Sequence, residues 1–253
     1  MSMDRDLLDT AVEMARQAGQ ITLEYFRSDR LGTTTKADGT PVTLADTAAE
    51  SHLRAALRDA FPDDAIKGEE EDDEPGTSGR CWYIDPIDGT AAFTRGVPTY
   101  SNLIALIDED GPAIGVIHLP AMGETVAAGR GLGCELNKAP CSVSGTAELD
   151  TDAYFTSTGY EDFSPDQLAA VHRSGMKMRT WGDAYGYALV ATGRCDVMFD
   201  PIVSEWDVAP MPIILSEAGG RFTGLDQSDG FSAGTGLATN GVLHPAALDL
   251  LHP

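Results

Sequence analysis

The sequence predicts an α/β protein of the mixed α+β kind, built from two halves that share a core. Three patterns predict it. Two long stretches near the N-terminus carry apolar residues at helical spacing. The middle of the chain is β-rich and punctuated by glycine. From about residue 152 onward, strand-like and helix-like segments alternate. No fixed-period repeat and no linker interrupts the chain. The halves are therefore expected to pack directly, with a boundary near 145–150, dividing the chain into 1–147 and 148–253.

The elements follow in order. Residues 4–27 place Leu7, Leu8, Ala11, Ala15, Ala18, Ile21, Tyr25 and Phe26 on one face of an amphipathic helix. Thr43 suits the N-cap of a second helix through LADTAAESHLRAALRDA, stopped by Pro62. AIKGEE and CWYID read as short strands. YSNLIALIDEDGPAIGVIHLP reads as a hairpin turning at Asp108–Gly111, and ETVAAGRGLGCELN continues the β pattern. Then come a strand at AYFTST, a helix from Pro165, a strand at MKMRTW, a helix through YGYALVATG and a strand at CDVMFD. One helix is expected from WDVAPMPIILSEAGG, with Gly219 and Gly220 as its C-cap, and a last helix near 244–250.

Composition narrows the function classes. The chain has 253 residues, 42% of them hydrophobic, and a mean hydropathy of −0.15, which suits a soluble globular protein. No apolar run reaches the ~20 residues of a membrane helix. MSMDRDLLDT shows neither the positive nor the apolar region of an export signal. A cytoplasmic protein is expected, with Cys81, Cys134, Cys141 and Cys195 as reduced thiols, since no C-x-x-C spacing points to zinc or a disulfide framework. There are 26 Asp and 14 Glu against 4 Lys and 13 Arg, a net charge of −23. Such a surface repels nucleic-acid phosphates and anionic membranes, so neither is expected as a partner.

The chemistry concentrates in WYIDPIDGT, residues 82–90. A buried strand ends by placing Asp85 and Asp88 three residues apart. Asp-Pro and Asp-Gly are common turn dipeptides, and a turn alone would use them. Like charges this close otherwise call for a cation or a dense set of donors. Mg²⁺ takes about six oxygens at roughly 2.0–2.1 Å, and Asp85, the Ile87 carbonyl and Asp88 offer three. Gly89 lets the backbone approach a ligand, and Gly89–Thr90 suits a helix start whose N–H groups hold a phosphate. In KGEEEDDEP, Glu71–Glu74 read as a solvated loop, whereas Glu69 sits at a strand end. In EWDVA, Asp207 sits at a helix start, where an N-cap is the ordinary role. Asp46 falls on the second helix, where an aspartate is ordinarily solvated.

Taken together, TLAD (43–46), GEE (68–70), WYIDPIDGT (82–90) and EWDVA…EAGG (205–220) resemble the inositol monophosphatase superfamily of Mg²⁺-dependent, lithium-sensitive phosphatases. The pieces stand in the family's order and spacing over nearly the whole chain. The resemblance implies an αβαβα layered sandwich of the inositol monophosphatase and fructose-1,6-bisphosphatase type. It implies two to three Mg²⁺ per subunit, with Mn²⁺ able to substitute. Glu69, Asp85 and the Ile87 carbonyl match ligands of the first metal. Asp85, Asp88 and Asp207 match the second, and Glu69 contacts a third. Asp46 and Thr90 match the pair that orients the attacking water, which with Glu69 form the catalytic set. Gly89 and Thr90 match the phosphate-binding turn, next to Asp88 and Asp207. The substrate implied is a small phosphate monoester, and the assembly a homodimer.

Substrate choice turns on RTWGDAYGYALVATGRCDVMFDP, residues 179–201. WGDAYGY with VATGR and VMFDP resembles the histidinol-phosphate phosphatase branch. Asp183 and Asp200 suit a cationic amine or imidazolium, which a neutral inositol cannot exploit. Inositol 1-phosphate is the alternative. Fructose 1,6-bisphosphate and 3′-phosphoadenosine 5′-phosphate would want a more basic pocket than four lysines favour. A metal-binding scaffold without turnover is the non-enzymatic alternative, but it has no need of Asp46 and Thr90. The five histidines fall in no motif and are expected at the surface or in packing; Trp181 and Trp206 read as core or as pocket lining. The Asp-rich, Lys-poor surface also points to a halophilic adaptation. Stability should then rise between low and molar KCl, and a flat melting temperature across that range would count against it.

Overall fold

The computed structural model describes residues 4–36 and 39–252. Residues 1–3, which the reading of the N-terminus as signal-free includes, lie outside them. Helix α1 (Arg5–Tyr25) is capped by Asp4, whose carboxylate accepts from the Asp6 N–H, and buries Leu8, Ala11, Val12, Ala15 and Ala18 along one face. A two-residue hairpin follows, β1 (Thr34–Thr35) and β2 (Pro41–Val42). Helix α2 (Leu44–Ala60) starts at Thr43 in a full capping box with Asp46, a device worth ~1 kcal/mol or more.

Seven strands then build the first sheet: β3 (Ala65–Gly68), β4 (Cys81–Asp88), β5 (Ser101–Asp108), β6 (Gly111–Leu119), β7 (Glu124–Gly129), β8 (Gly133–Leu136) and β9 (Ala139–Pro140), with helix α3 (Thr90–Thr94) between β4 and β5. Their spatial order is their chain order. Only the β3–β4 pair is parallel; the rest is an antiparallel meander. The second sheet comes from β10 (Tyr154–Thr156), β11 (Lys177–Arg179), β12 (Val197–Asp200), β13 (Arg221–Thr223) and β14 (Gly236–Thr239). Its order is β11-β10-β12-β14-β13, with the first three strands parallel. The remaining helices are α4 (Pro165–Ser174), α5 (Asp183–Ala191), α6 (Glu205–Val208), α7 (Met211–Glu217) and α8 (His244–Leu251).

Burial on both faces of each sheet stacks these elements into an αβαβα sandwich. Along β5, Ile104 and Leu106 pack under α1 and α2, while Leu103 points to the opposite core with α5 and α7. In the second sheet, Met198 and Ala238 face that same central core. Val197, Phe199 and Leu237 face α4 and α8 on the outside. The period of two thus sends alternate residues of one strand into different layers, and strands covered on both faces read as continuous apolar runs. Among the described residues no helix is long and apolar enough to cross a membrane.

Three expectations are corrected. The single helix from Trp206 is two short ones, α6 and α7. Pro210 and Pro212 have no N–H for the carbonyls of Trp206 and Val208, so the helical ladder breaks there. Strands β13 and β14 were not anticipated: they are three and four residues long, sit in glycine-rich sequence and pair across a long loop. Glu74 is not merely solvated. Its backbone bridges to Ile66, and its carboxylate takes Arg54 and Arg58. The end of α7 agrees with its glycines. The Gly219 N–H reaches the Ser216 carbonyl and the Gly220 N–H the Leu215 carbonyl, at 3.1 and 2.7 Å, the Schellman pattern.

Candidate active site

The site forms where β4 ends. A bulge between Asp85 and Asp88 breaks the β4–β5 register. It leaves the Ile87 N–H to donate to Asp85 Oδ1 at 2.9 Å, and the amide of Asn102 on β5 holds the Pro86 carbonyl. Gly89 follows with φ +79, and a Cβ there would lie 2.8 Å from Asp183 Oδ2. The left-handed conformation disfavours a side chain at this position, and a Cβ would displace the Asp183 carboxylate. Helix α3 then starts at Thr90.

The structure brings Asp85, Asp88 and Asp207 together. One carboxylate oxygen from each lies within 4.8 Å of the others. Each is fixed by donors from its own surroundings. Asp88 Oδ2 accepts from Ser101 Oγ at 2.9 Å and from the Ala184 N–H at the start of α5 at 2.7 Å. Asp207 is not the N-cap of α6; that is Ser204, whose N–H donates to Asp207 Oδ2 at 2.8 Å. Asp46 is not solvated but fully buried at the third position of α2, its Oδ2 taking the Thr43 N–H and hydroxyl at 2.8 and 2.5 Å. Thr90 Oγ1 lies 2.9 Å from the Ile87 carbonyl and 3.4 Å from Asp46 Oδ1.

Glu69, at the end of β3, lines a cavity together with Asp85, Asp88, Thr90 and Asp207. Its Oε1 accepts from Lys36 Nζ at 2.7 Å, as does Glu70 Oε1. Burial works against the Lys36 charge, but the bonds to Glu69 and Glu70 outweigh it and hold the ammonium above its ordinary range. The loop carrying Glu69 is held from beneath by residues that sequence reasoning missed. Glu50 and Arg54, both fully buried, form an i,i+4 ion pair at 2.8 Å. Glu50 accepts the N–H groups of Glu70 and Glu71 at 2.9 and 3.0 Å, and Arg54 donates to the Glu71 and Asp72 carbonyls. Gly68 is required beside them, because a Cβ would lie 2.4 Å from Glu50 Oε1. The i,i+4 spacing of Glu50 and Arg54 was visible on α2, but nothing local marked it as inward-facing.

On the other side of Asp88 and Asp207, a second cavity of about 130 Å³ opens, continuous in lining with the first, of about 210 Å³. Both are bordered by Asp183. The second adds Asp200 and two residues not foreseen, Glu161 and Asp162, and among the described residues no Lys, Arg or His lines it. Asp200 is buried and accepts from the Thr158 N–H at 2.9 Å and the Tyr187 hydroxyl at 3.2 Å. Asp183 does not cap α5: Gly182 holds that position without a side-chain bond. Asp183 has φ +53, its N–H bonds Thr158 Oγ1 at 2.8 Å, and its carboxylate accepts no hydrogen bond among the described residues. An unglycinated left-handed residue at the rim of a cavity is a strain that surrounding structure must hold.

Burial and mutual repulsion set the electrostatics. Burial pushes Asp85 well above the carboxylate range, with Glu69, Asp88 and Asp207 adding to it. Burial does the same to Asp88, reinforced by Asp183 and Asp207. It takes Asp207 to about 7 and Asp183 to about 6, the latter with help from Asp200. Asp46 is raised as well, mainly by burial. A set of close, desolvated carboxylates with raised proton affinity fits hard divalent cations, whose charge removes the repulsion.

Residues 3–252 match the profile of the Inositol monophosphatase family. The chain belongs to that family. It is a metal-dependent phosphatase, a hydrolase of phosphate monoesters. The phosphatase is 44% identical to the histidinol-phosphatase of Chlorobaculum parvum, covering 84% of this chain and 83% of that one. With the histidinol-phosphatase of Mycobacterium tuberculosis it shares 38% over 99% of both. Among solved structures, the Thermotoga maritima IMPase superposes with a TM-score of 0.88 at 28% identity, covering 98% and 97%.

The raised carboxyl groups make a signed prediction. A carboxyl with a higher folded than unfolded pKa contributes stability that is complete below the unfolded value and is lost as pH rises through the folded one. Buried His118 and His244, pushed down to about 4 from 6.5, act oppositely but only below about pH 6.5. In EDTA, the melting temperature should therefore fall as pH rises from about 4 through about 7, less steeply below about pH 6.5 where the histidines oppose it, as Asp183, Asp207 and their neighbours ionise. Each ~1 kcal/mol lost lowers it by about 2–4 °C at this size. Saturating Mg²⁺ should flatten the curve. Equal slopes with and without Mg²⁺ would show that the cluster holds no cation.

Proposed function

We propose that this phosphatase is a histidinol-phosphatase serving histidine biosynthesis. One observation carries the substrate choice: the cavity beside the carboxylate cluster is lined by Glu161, Asp162, Asp183 and Asp200 and, among the described residues, by no basic side chain. A leaving group bearing an amine and an imidazole finds charge-assisted partners there. Inositol, being neutral, leaves these carboxylates uncompensated, and a second phosphate would be repelled. The 38–44% identity to two histidinol-phosphatases supports the same choice.

In this reading Glu69, Asp85, Asp88, Asp207 and the Ile87 carbonyl hold two to three Mg²⁺, for which Mn²⁺ substitutes. Bound there, the ions supply positive charge that offsets the phosphate dianion, and lower the pKa of a coordinated water. The chain's own groups do the rest. Gly89 and the first N–H groups of α3 seat the phosphate beside Asp88 and Asp207. The Thr90 hydroxyl, turned from the Ile87 carbonyl to Asp46 Oδ1, presents its lone pairs to the attacking water. Asp46, fixed by Thr43, takes up the proton pull through Thr90 Oγ1. Asp183 and Asp200 orient the cationic leaving group. Residues 1–147 carry most of the cation-binding set, and 148–253 add Asp207 and the specificity residues. A cytoplasmic homodimer completes the proposal.

The test compares kcat/KM for histidinol phosphate, inositol 1-phosphate, fructose 1,6-bisphosphate and 3′-phosphoadenosine 5′-phosphate. Histidinol phosphate should be preferred; a higher value for inositol 1-phosphate would reverse the assignment. Asp183→Asn should lower kcat/KM for histidinol phosphate by roughly 10- to 150-fold, since a charge-assisted hydrogen bond is worth about 1.5–3 kcal/mol. Asparagine tolerates the left-handed backbone, so folding is preserved. Hydrolysis of glycerol 2-phosphate should change little, and equal losses on both substrates would remove Asp183 from recognition. Asp88→Asn should nearly abolish turnover while keeping the fold, because relieving one buried charge removes repulsion. Wild-type kcat at saturating Mg²⁺ would exclude Asp88 from the cation site.

A further inference from the structure

Outside this site, the edge hairpin of the seven-stranded sheet sets two of the four cysteines opposite each other. Strands β8 and β9 turn through Asn137 and Lys138, at φ +52 and +69, a two-residue turn of the I′ kind. The register pairs Leu136 with Ala139 and Glu135 with Pro140. The next position brings Cys134 opposite Cys141, where the Cys141 N–H donates to the Cys134 carbonyl at 3.0 Å. The two sulfurs stand 3.5 Å apart. A disulfide bond of roughly 2.05 Å lies within a small side-chain rotation of that separation. The hairpin is anchored as it stands: Asn137 accepts from the Thr125 N–H at 2.9 Å and donates to the Gly123 carbonyl at 3.0 Å.

The pair is unequal. Cys134 is 3% exposed, whereas Cys141 is half-buried and open to solvent. The neighbouring Cys134 sulfur holds the Cys141 thiol below its ordinary range, with the Arg194 guanidinium acting in the same direction. That is the setting of an attacking thiol with a second sulfur behind it. The remaining cysteines differ: burial pushes Cys81 up to about 11 and Cys195 up to about 12, and their thiols are directed at backbone carbonyls, of Trp82 for Cys81 and of Tyr154 and Val197 for Cys195.

We propose that Cys134 and Cys141 form a reversible thiol–disulfide site that reacts with low-molecular-weight disulfides such as oxidised glutathione. The Cys141 thiolate attacks one sulfur of the small disulfide, forming a mixed disulfide and releasing one small thiolate. The Cys134 thiol then gives up its proton and its sulfur attacks Cys141 Sγ, expelling the second small thiolate. Two protein thiols are oxidised, one small disulfide is reduced to two thiols, and the edge hairpin is covalently closed. Cys134 acts as the resolving sulfur because it is positioned but shielded.

The test equilibrates the folded enzyme with glutathione buffers of increasing oxidised fraction, followed by acid quench, maleimide labelling in denaturant and peptide mass analysis. Labelling of Cys134 and Cys141 should disappear together, and the peptides carrying them should be linked, while Cys81 and Cys195 stay labelled. Cys134→Ser should instead accumulate glutathione on Cys141, and Cys141→Ser should leave Cys134 labelled throughout. Two outcomes overturn the proposal: all four thiols labelled at every ratio, or wild-type enzyme carrying glutathione on Cys141 with Cys134 still free.

Discussion

Everything in this molecule answers to one constraint, the repulsion among carboxylates gathered out of water at the end of β4. Asp85, Asp88 and Asp207 sit within 4.8 Å, and Glu69, Asp46 and Asp183 stand close enough to raise their proton affinity further. Left to itself such a cluster would spread. It is held because four members are fastened by a main-chain N–H of a rigid element: Ile87 for Asp85, Ala184 for Asp88, Ser204 for Asp207 and Thr43 for Asp46. Three of these donors belong to helix beginnings, where N–H groups lack partners within the helix and favour negative charge. The layered fold serves to bring those beginnings to one place.

The same constraint explains how so acidic a chain handles a substrate that is itself an anion. The net charge of −23 repels phosphates at long range. Attraction must therefore be local, and divalent cations held by the proposed carboxylate cluster would supply it. Lys36, bonded to Glu69 and Glu70, is one of only four lysines and sits against the cluster rather than on the far surface.

How much of this was legible depended on the range of the interactions. The helices around Leu8 and Leu53 and the β5–β6 hairpin follow from local periodicity. The pairing of Asp85 with Asp88 was readable from three residues of spacing, and the wider set from the resemblance to a known family. What was not legible depended on contacts between distant segments. The burial of Asp46 and of the Glu50–Arg54 pair requires the acidic loop after β3 to fold over α2. Strands β13 and β14 exist because β12 offers an edge. Asp183 opens α5, yet its carboxylate is turned towards Gly89 by a left-handed backbone, which no one-dimensional pattern records. Glu161 and Asp162 join the cavity only through the packing of their loop beside Pro201.

The Ala184 N–H on α5 reaches Asp88 on the first sheet, between residues 96 positions apart in the chain. It ties the central helical layer to the first sheet at the carboxylate cluster itself. Any breathing of the layers must lengthen it, and any such breathing distorts the carboxylate cluster at the same instant. Catalytic geometry and interlayer cohesion are thus a single mechanical degree of freedom, and exchange of this one amide with solvent deuterium is its natural gauge.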